Sequence, residues 1–195
     1  MPKLKYKRVL LKLSGEVFGG EEGVGIDGKI VEEIAKQVKE LQSLGCQVGV
    51  VIGGGNIWRY RDFKHLNLER VTSDTMGMFA TCMNALAFEG VLKSLKADVR
   101  AVSAFPAEKA MENYLPKRSL HHLDKGRIVI FAGGTGSPFF TTDSAAALRA
   151  LEMNCDVLLK ATKVDYVYDK DPVKYKDAKK YTKMRYQEVI EKGLG

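Results

Sequence analysis

Short runs of β-branched and aliphatic residues recur along the chain and alternate with stretches that have a helical pattern. The runs span 9–13, 48–52, 99–104, 128–131 and 157–159. Four of them end in a glycine or polar loop, and the third ends just before Pro106. Continuous apolar runs of this length are typical of strands that are buried on both faces of a parallel sheet. We therefore predict a mostly parallel sheet.

The segments between the runs predict helices. Asp27 is a good N-cap for a helix whose apolar stripe is Ile30, Ile34, Val38 and Leu41, and Gly45 is a plausible C-terminal stop. A second, very apolar helix is predicted to start at Ser73 or Asp74, and a third at Asp143. Strand and helix in regular alternation predict right-handed crossovers and a three-layer αβα sandwich. The chain shows no repeat and no linker, so a single domain over 1–195 is expected.

Cysteine usage and hydropathy predict a cytosolic protein. Cys46, Cys82 and Cys155 lack C-x-x-C spacing and lie in apolar surroundings, as reduced core thiols do. The longest apolar stretch, 76–88, is shorter than the ~20 residues that span a bilayer, so we interpret it as a buried helix. The apolar run 9–11 is broken by Lys12 and is too short for the core of a signal peptide.

The charge balance favours anionic partners without choosing among them. The chain has 31 Lys and Arg against 24 Asp and Glu, a net charge of +7. Nucleotides, nucleic acid and a membrane surface all fit such a balance, and so does an ordinary lysine-rich surface. Tyrosines alternate with lysines from residue 165 onward, but aspartates dilute the charge there, which favours a solvated and partly irregular surface over a nucleic-acid site.

Two glycine loops fall where ligands bind in open α/β sheets, beyond the carboxyl ends of strands. They are Gly53-Gly54-Gly55-Asn56 and Gly133-Gly134-Thr135-Gly136. Loops of this type let backbone N–H groups approach phosphate oxygens. Neither loop matches G-x-x-x-x-G-K-[ST] or G-x-G-x-x-G, and G-x-S-x-G is also missing from the sequence. A Walker-type kinase and an acyl-transfer enzyme are therefore not supported, and tight-turn chemistry remains an alternative for each loop alone.

Four cations follow these strand ends. They are Lys12, Arg59, Lys160 and Lys163. Two phosphorylated ligands brought face to face repel by about 4 kcal/mol per unit charge pair at ~4 Å and an effective dielectric of ~20. Two phosphate cradles with a ring of Lys and Arg are what phosphoryl transfer between two anions requires. Asp143 is expected to cap its helix, and a second role orienting a lysine is compatible with that.

Six motifs in one order resemble a known family. They are Lys12-Leu-Ser-Gly-Glu16, Gly25-Ile-Asp27, Val50-Val-Ile-Gly-Gly-Gly-Asn56, Ser73-Asp-Thr-Met-Gly-Met78, Gly136-Ser-Pro-Phe-Phe-Thr-Thr-Asp143 and Lys160-Ala-Thr-Lys-Val-Asp165. Between about residues 6 and 193 the chain resembles the bacterial UMP kinases (uridylate kinases) of the amino-acid-kinase superfamily. The resemblance implies an amino-acid-kinase-like fold whose N-terminal part binds UMP and whose part from about residue 130 contributes the ATP site.

The resemblance also implies a reaction. Members transfer the γ-phosphoryl group of ATP to UMP, giving UDP and ADP in pyrimidine nucleotide synthesis. They use Mg²⁺ with ATP and act in the cytoplasm, commonly as homohexamers with GTP as activator and UTP as inhibitor. It implies no membrane partner and no nucleic-acid partner. Two alternatives stay open: a superfamily phosphotransferase acting on a carboxylate, a carbamate or isopentenyl phosphate, and a non-catalytic protein that binds nucleotides or nucleic acid.

Site residues carry over by their positions in the motifs. The candidate catalytic residues are Lys12, Asp143 and Lys160. The ATP contacts implied are Lys12, Leu13, Ser14, Gly15, Gly55, Arg59, Thr162, Tyr168 and Asp171. The UMP contacts implied are Gly54, Asp74, Thr135, Gly136, Ser137, Pro138, Phe139, Phe140, Thr141 and Thr142. The stretch implied for activator GTP is Gly20, Glu21, Glu22, Gly23, Val24 and Gly25. No protein side chain is assigned to a metal, because His65, His121 and His122 lack metal-ligand spacing.

The chain departs from the family pattern in three places. Tyr60 and Tyr166 stand where members usually have glycine, and a tyrosine would be strained by about 1 kcal/mol or more at a site that needs positive φ. Members also continue beyond the position of Gly195 through a further helix, a core strand and a terminal hairpin. The resemblance therefore implies that the C-terminal part of the fold is missing from these residues.

Overall fold

The computed structural model describes residues 4–162, 164 and 166–194, apart from the side chains of Phe63 and Lys64. The described chain falls into two compact units, divided between Ala161 and Thr162. The single-domain organisation expected from the sequence stays a prediction. Lys163, Asp165 and Gly195 lie outside the described residues.

The larger unit is built on a six-stranded parallel sheet. Its strands are β1 (Arg8–Leu13), β2 (Gln47–Ile52), β3 (Val99–Ser103), β4 (Glu112–Asn113), β5 (Ile128–Ala132) and β6 (Val157–Lys160). Their order across the sheet is β4-β3-β5-β2-β1-β6. All five predicted strands are present, and every pairing in this sheet is parallel.

Helices connect these strands. They are α1 (Gly15–Phe18), α2 (Gly28–Ser43), α3 (Arg70–Ser94), α4 (Pro116–Asp124) and α5 (Thr142–Glu152), with a 3₁₀ helix over Tyr60–Leu66. Of these, α1, α4 and the 3₁₀ helix were not predicted. Two separate clusters of buried apolar side chains, which include Val50 and Phe88 in one and Leu10 and Phe131 in the other, pack around the sheet. These layers match the expected α/β sandwich.

The strands are buried as expected, with one exception. In β2 and β5 nearly every residue is buried, in accord with their central positions. In β6, Leu158 and Leu159 are 38% and 43% exposed. The expectation that this run is buried on both faces is wrong, because among the strands that the structure describes β6 lies at the edge of the sheet and pairs with β1 alone.

Helix α2 forms where the sequence predicts it. The Asp27 carboxylate accepts hydrogen bonds from the backbone N–H groups of Lys29 and Ile30, and Gly45 follows the last turn with φ +85°. The buried face centres on Val31, Ala35 and Val38, so it is rotated slightly from the predicted stripe.

Two predicted helix starts are wrong. Helix α3 begins at Arg70 rather than at Ser73 or Asp74, and its N-cap residue, Glu69, makes no side-chain cap. Helix α5 begins at Thr142, and Thr141 is its N-cap, with its hydroxyl accepting from the Ser144 N–H. Asp143 lies in the first turn. In each case the predicted cap residue has another partner, so its side chain is not available to cap.

Helix α3 is long and apolar. By length and composition it could cross a membrane, a test that core helices of soluble proteins also pass. Ala80, Ala85 and Phe88 are buried in the core, whereas Phe79 and Met83 are more than half exposed. The prediction of a buried helix over 76–88 therefore holds for one face only.

The smaller unit is mostly exposed. It contains the antiparallel pair β7 (Val167–Tyr168) and β8 (Lys180–Tyr181) and the short helix α6 (Tyr186–Glu191), none of whose residues is buried. Lys180 lies over the Tyr166 ring and Lys170 over the Tyr175 ring. This agrees with the predicted solvated and partly irregular surface.

The three cysteines are free thiols. Cys46 and Cys82 are buried and Cys155 is half-buried. Burial raises the pKa of all three thiols, that of Cys155 to about 11. They are protonated core residues at neutral pH, as expected.

Candidate functional site

A carboxylate holds two lysines together at the carboxyl edge of the sheet. Lys12 in β1 and Lys160 in β6 are register partners on adjacent strands. Asp143, in the first turn of α5, reaches both: one oxygen lies 2.7 Å from Lys12 Nζ and the other 2.8 Å from Lys160 Nζ. The three candidate catalytic residues are therefore brought into one cluster.

The electrostatics of this cluster favour the ionised carboxylate. Partial burial raises the pKa of Asp143. The hydrogen bonds from Lys12 and Lys160 and their positive charges lower it by more, so the pKa of Asp143 is below its ordinary value. Lys12 is only 7% exposed, and a buried ammonium group needs a nearby anion. The cluster carries net positive charge and suits a ligand with several negative charges.

The loops after β1 and β2 are in direct contact. A Cβ atom on Gly15 would lie 2.5 Å from the Gly55 nitrogen and 2.8 Å from the Gly53 oxygen. Only glycine permits this approach. Leu13 is buried at the end of β1, and Ser14 precedes α1 with extended backbone. The residues at 12–15 and 55, which are predicted to contact ATP, therefore lie side by side.

Arg59 is held beside the second loop. Its Nη2 lies 2.8 Å from Glu16 Oε1, and its Nε donates to the Gly55 carbonyl at 2.5 Å. The guanidinium group thus lies against the glycine loop that is predicted to bind phosphate. About a quarter of the Arg59 side chain is exposed.

A pocket opens between the loop after β2, helix α3 and the loop after β5. Of the predicted UMP contacts, six line it: Gly54, Asp74, Thr135, Ser137, Phe140 and Thr142. Tyr60, Trp58 and Gly77 line it as well. Because Thr142 precedes Asp143, the pocket and the lysine cluster meet at the N-terminus of α5, where the helix dipole favours negative charge.

The other predicted UMP contacts lie in the same loop but outside the pocket lining. They are Gly136, Pro138, Phe139 and Thr141. Asp74 accepts a hydrogen bond from the Phe139 N–H at 2.8 Å and another from Arg70 Nε at 2.8 Å. Phe139 has φ +71° and is 64% exposed, so this hydrogen bond helps to hold a strained residue in place.

Tyr60 shows no sign of the strain that the sequence comparison raised. Outside glycine, the residues described with positive φ are Asn67, Lys96, Phe139 and Asn154. Tyr60 instead begins the 3₁₀ helix, and its ring faces Arg70 at 5.2 Å. Tyr166 follows Asp165, which is outside the described residues.

The remaining predicted ATP contacts belong to the smaller unit. Thr162 is exposed, Tyr168 lies in β7, and Asp171 accepts from the Val173 N–H. Within that unit they are close in the chain, and their role toward ATP stays a prediction.

The stretch 20–25, predicted for GTP, forms a turn before α2. Glu22, Gly23 and Val24 line a small pocket with Arg59 and Asp62, and a neighbouring pocket is lined by residues that include Glu21 and Asp27. The acidic side chains here do not by themselves favour an anion, so the GTP assignment stays a prediction.

Mg²⁺ has no set of protein ligands among the described residues. No group of three or more His, Cys, Asp or Glu side chains there could hold a metal ion. Asp143 is the carboxylate of the cluster, and two lysines engage it. With an ammonium group on each of its oxygens, Asp143 is not arranged to hold a cation here.

Several polar residues that shape the site were not predicted from the sequence. Trp58 donates to the buried Ser73 hydroxyl at 2.9 Å, and both line the pocket. Thr81 and Asn84, on α3, hydrogen-bond to the glycine loops. Their signal was present in the sequence, since both are polar residues within the apolar stretch 76–88.

Comparison with known proteins agrees with this geometry. A family model described as the amino acid kinase family matches residues 7–195. Proteins named uridylate kinase from Xanthomonas campestris pv. campestris and Xanthomonas axonopodis pv. citri are each 53% identical to the chain over 194 residues. These alignments cover 100% of this chain and 81% of each relative.

Solved structures give the same result. A UMP kinase from Bacillus anthracis superposes with a TM-score of 0.93 at 41% identity, over 97% of this chain and 79% of that one. A UMP kinase from Ureaplasma parvum gives 0.92 at 33% identity, over 98% and 81%. The chain therefore belongs to the amino acid kinase family, and within it to the uridylate kinases, or UMP kinases. The predicted family, fold class and enzyme class are confirmed.

Proposed function

We propose that this enzyme transfers the γ-phosphoryl group of ATP to the phosphate of UMP, producing UDP and ADP. The observation that carries the proposal is the Lys12–Asp143–Lys160 cluster beside the α3 pocket, in a chain whose relatives are UMP kinases. A phosphate oxygen of UMP forms a bond to the γ-phosphorus as the bond from that phosphorus to the bridging oxygen of ADP breaks. No covalent intermediate on the enzyme is needed.

The chain contributes position and charge to this reaction. The donor phosphates would lie over residues 12–15 and Gly55, with Arg59 alongside, and UMP would occupy the pocket lined by Gly54, Asp74 and Thr135. Lys12 and Lys160 would then neutralise charge on the transferred group, and Asp143 would keep both ammonium groups aimed at it. Aligning the reactants and stabilising charge supply most of the catalysis in phosphoryl transfer.

Mg²⁺ would arrive with ATP and be held by its phosphate oxygens. When bound there it would offset phosphate charge, a chemistry typical of phosphoryl transfer.

Other implications of the resemblance remain predictions. They are the place in pyrimidine nucleotide synthesis, the cytoplasmic location, the homohexamer, activation by GTP and inhibition by UTP.

Acceptor specificity tests the proposal. ADP release from MgATP is measured with UMP, CMP, AMP, a carboxylate or carbamate acceptor, isopentenyl phosphate, or no acceptor. We expect turnover that depends on UMP. Preferred turnover with another acceptor would favour a different phosphotransferase of the superfamily. Nucleotide binding without turnover on any acceptor would favour the non-catalytic alternative.

A further inference from the structure

One face of α3 contacts both glycine loops of the site. Its residues are Gly77, Ala80, Thr81 and Asn84, which follow the i, i+3, i+4, i+7 spacing of a single helical face. We call these four residues the α3 face. Thr81 and Asn84 are 3% and 0% exposed. Buried polar groups on a helix are costly unless they are hydrogen-bonded, so their partners show what they do.

Asn84 fixes the loop after β2. Its Nδ2 donates to the Gly53 carbonyl at 2.7 Å and to Asn56 Oδ1 at 2.7 Å, and its Oδ1 accepts from Asn56 Nδ2 at 3.0 Å. Asn56 Nδ2 also reaches the Gly25 carbonyl at 2.5 Å. The amide pair therefore joins α3 to the loop that bears Gly53–Gly55.

Thr81 fixes the loop after β5. Its hydroxyl accepts a hydrogen bond from the Gly133 N–H at 2.8 Å and donates to the Met78 carbonyl at 2.7 Å. The first residue of the loop after β5, which we call the acceptor loop because most of the predicted UMP contacts lie in it, is thus hydrogen-bonded to α3 one helical turn from Asn84.

The small residues of the α3 face bring the first loop into contact with the helix backbone. A Cβ atom on Gly54 would lie 2.8 Å from the Ala80 Cβ and 2.8 Å from the Gly77 carbonyl oxygen. Gly77 and Ala80 therefore serve a close approach within the chain.

From these contacts we infer that the α3 face sets the spacing between the two loops, and that Thr81 and Asn84 are positioning residues for phosphoryl transfer. Asn84 positions the glycines shared by the donor and acceptor sites, and Thr81 positions the acceptor loop. The inference rests on the proposed function for the identity of the two nucleotides. A displacement of about 1 Å between reacting groups costs up to about 100-fold in rate.

Substitutions at Thr81 separate positioning from packing. Thr81→Val keeps the shape but removes the acceptor for the Gly133 N–H, and Thr81→Ser keeps the hydroxyl. We expect Thr81→Val to raise KM for UMP about five- to tenfold with little change in KM for ATP, as expected for one lost hydrogen bond. Thr81→Ser should restore KM for UMP toward the wild-type value.

Asn84→Leu removes the amide pair and should act differently. Because the loop it releases serves both nucleotides, we expect kcat to fall by about tenfold or more, with smaller changes in the two KM values. Leu92→Val, a buried apolar change farther along α3, controls for lost stability. It should lower Tm without either kinetic pattern.

Hydrogen exchange tests the inference independently of turnover. The Gly133 amide should exchange about fivefold faster or more in Thr81→Val than in the wild type or in Thr81→Ser. The inference would be overturned if the exchange rate of the Gly133 amide were unchanged in Thr81→Val. It would also be overturned if the changes in KM and kcat of all variants, Leu92→Val included, were proportional to their losses in Tm. If the wild type lacked UMP turnover, the proposed function would fail, while the exchange result would still decide whether Thr81 holds the loop.

Discussion

Lys12 is buried within an apolar strand, yet its ammonium group reaches Asp143 at the strand end. Lys12→Ala removes an ammonium group that is held in position before the reaction and would stabilise negative charge on the transferred group. We expect kcat to fall about 10²- to 10³-fold, with a smaller change in either KM, because loss of one such donor typically has this effect. Steady-state kinetics measure it, and Lys36→Ala, an exposed lysine paired with Glu32 on α2, serves as the control. Unchanged kcat in Lys12→Ala would contradict its assigned role.

Asp143 links the site to the pH dependence of stability. Its pKa in the folded protein is lowered, so its stabilising effect is complete above the pKa of the unfolded chain and is lost as pH falls through the folded pKa. We expect Asp143→Asn to have a lower free energy of unfolding than the wild type at about pH 7, and the difference to shrink below about pH 4.

Urea unfolding of both proteins at the two pH values measures this difference. Glu33→Gln, an exposed carboxylate on α2, is the matched control. If the difference in free energy of unfolding between wild type and Asp143→Asn were the same at both pH values, the charge of the Asp143 carboxylate would not be what stabilises the folded protein.

At the scale of elements, the contact between the loops after β1 and β2 depends on Gly15. Gly15→Ala would place a methyl group 2.5 Å from the Gly55 nitrogen, where backbone rather than a flexible side chain must move. We expect kcat to fall at least tenfold and the free energy of unfolding to drop by about 1–3 kcal/mol.

Gly90 in α3 provides the matched control for Gly15. A Cβ there meets nothing within 4 Å, so Gly90→Ala should instead stabilise the protein by about 0.5–1 kcal/mol. Denaturant unfolding and kinetics on the two variants make the comparison. Wild-type kinetics in Gly15→Ala would show that the close approach is not required.

Local sequence is sufficient to predict some of the helices and strands but not others. Strand positions and the Asp27 cap depend on neighbours in the chain, so they were predictable. The start of α3 was not, because Ser73 and Asp74 bind Trp58 and Phe139, which the fold brings to them. Exposure of Leu158 followed from the position of β6 at the sheet edge, which periodicity does not reveal.

The candidate site was predictable to a similar degree. Lys12 and Lys160 follow from the rule that the carboxyl ends of parallel strands share one edge. The resemblance to the family added Asp143 as a catalytic candidate. Thr81 and Asn84 were missed, because their meaning depends on loops at 53 and 133 that are distant in sequence. The family resemblance supplied the identities of the two nucleotides, which residue chemistry alone left open.

The strand order explains how the whole molecule assembles the site. Because β5, β2 and β1 lie side by side in the order β4-β3-β5-β2-β1-β6, the loops after these three strands converge at one edge, next to Lys160 in β6. The glycine loops, the lysines and the start of α5 thus come from segments that are as far apart in the chain as Lys12 and Lys160. The net charge of +7 is consistent with anionic substrates, but the arrangement of the edge rather than the total charge favours phosphoryl transfer.

Tracing the phosphoryl group tests the central claim most directly. ATP labelled at the γ-phosphate is incubated with Mg²⁺, UMP and the protein, and the products are separated and identified. We predict that the label appears in UDP, that the amount of ADP formed equals the amount of UDP, and that Lys12→Ala lowers both together. Label that appears only in inorganic phosphate, or that stays in ATP while UMP is bound, would contradict the account.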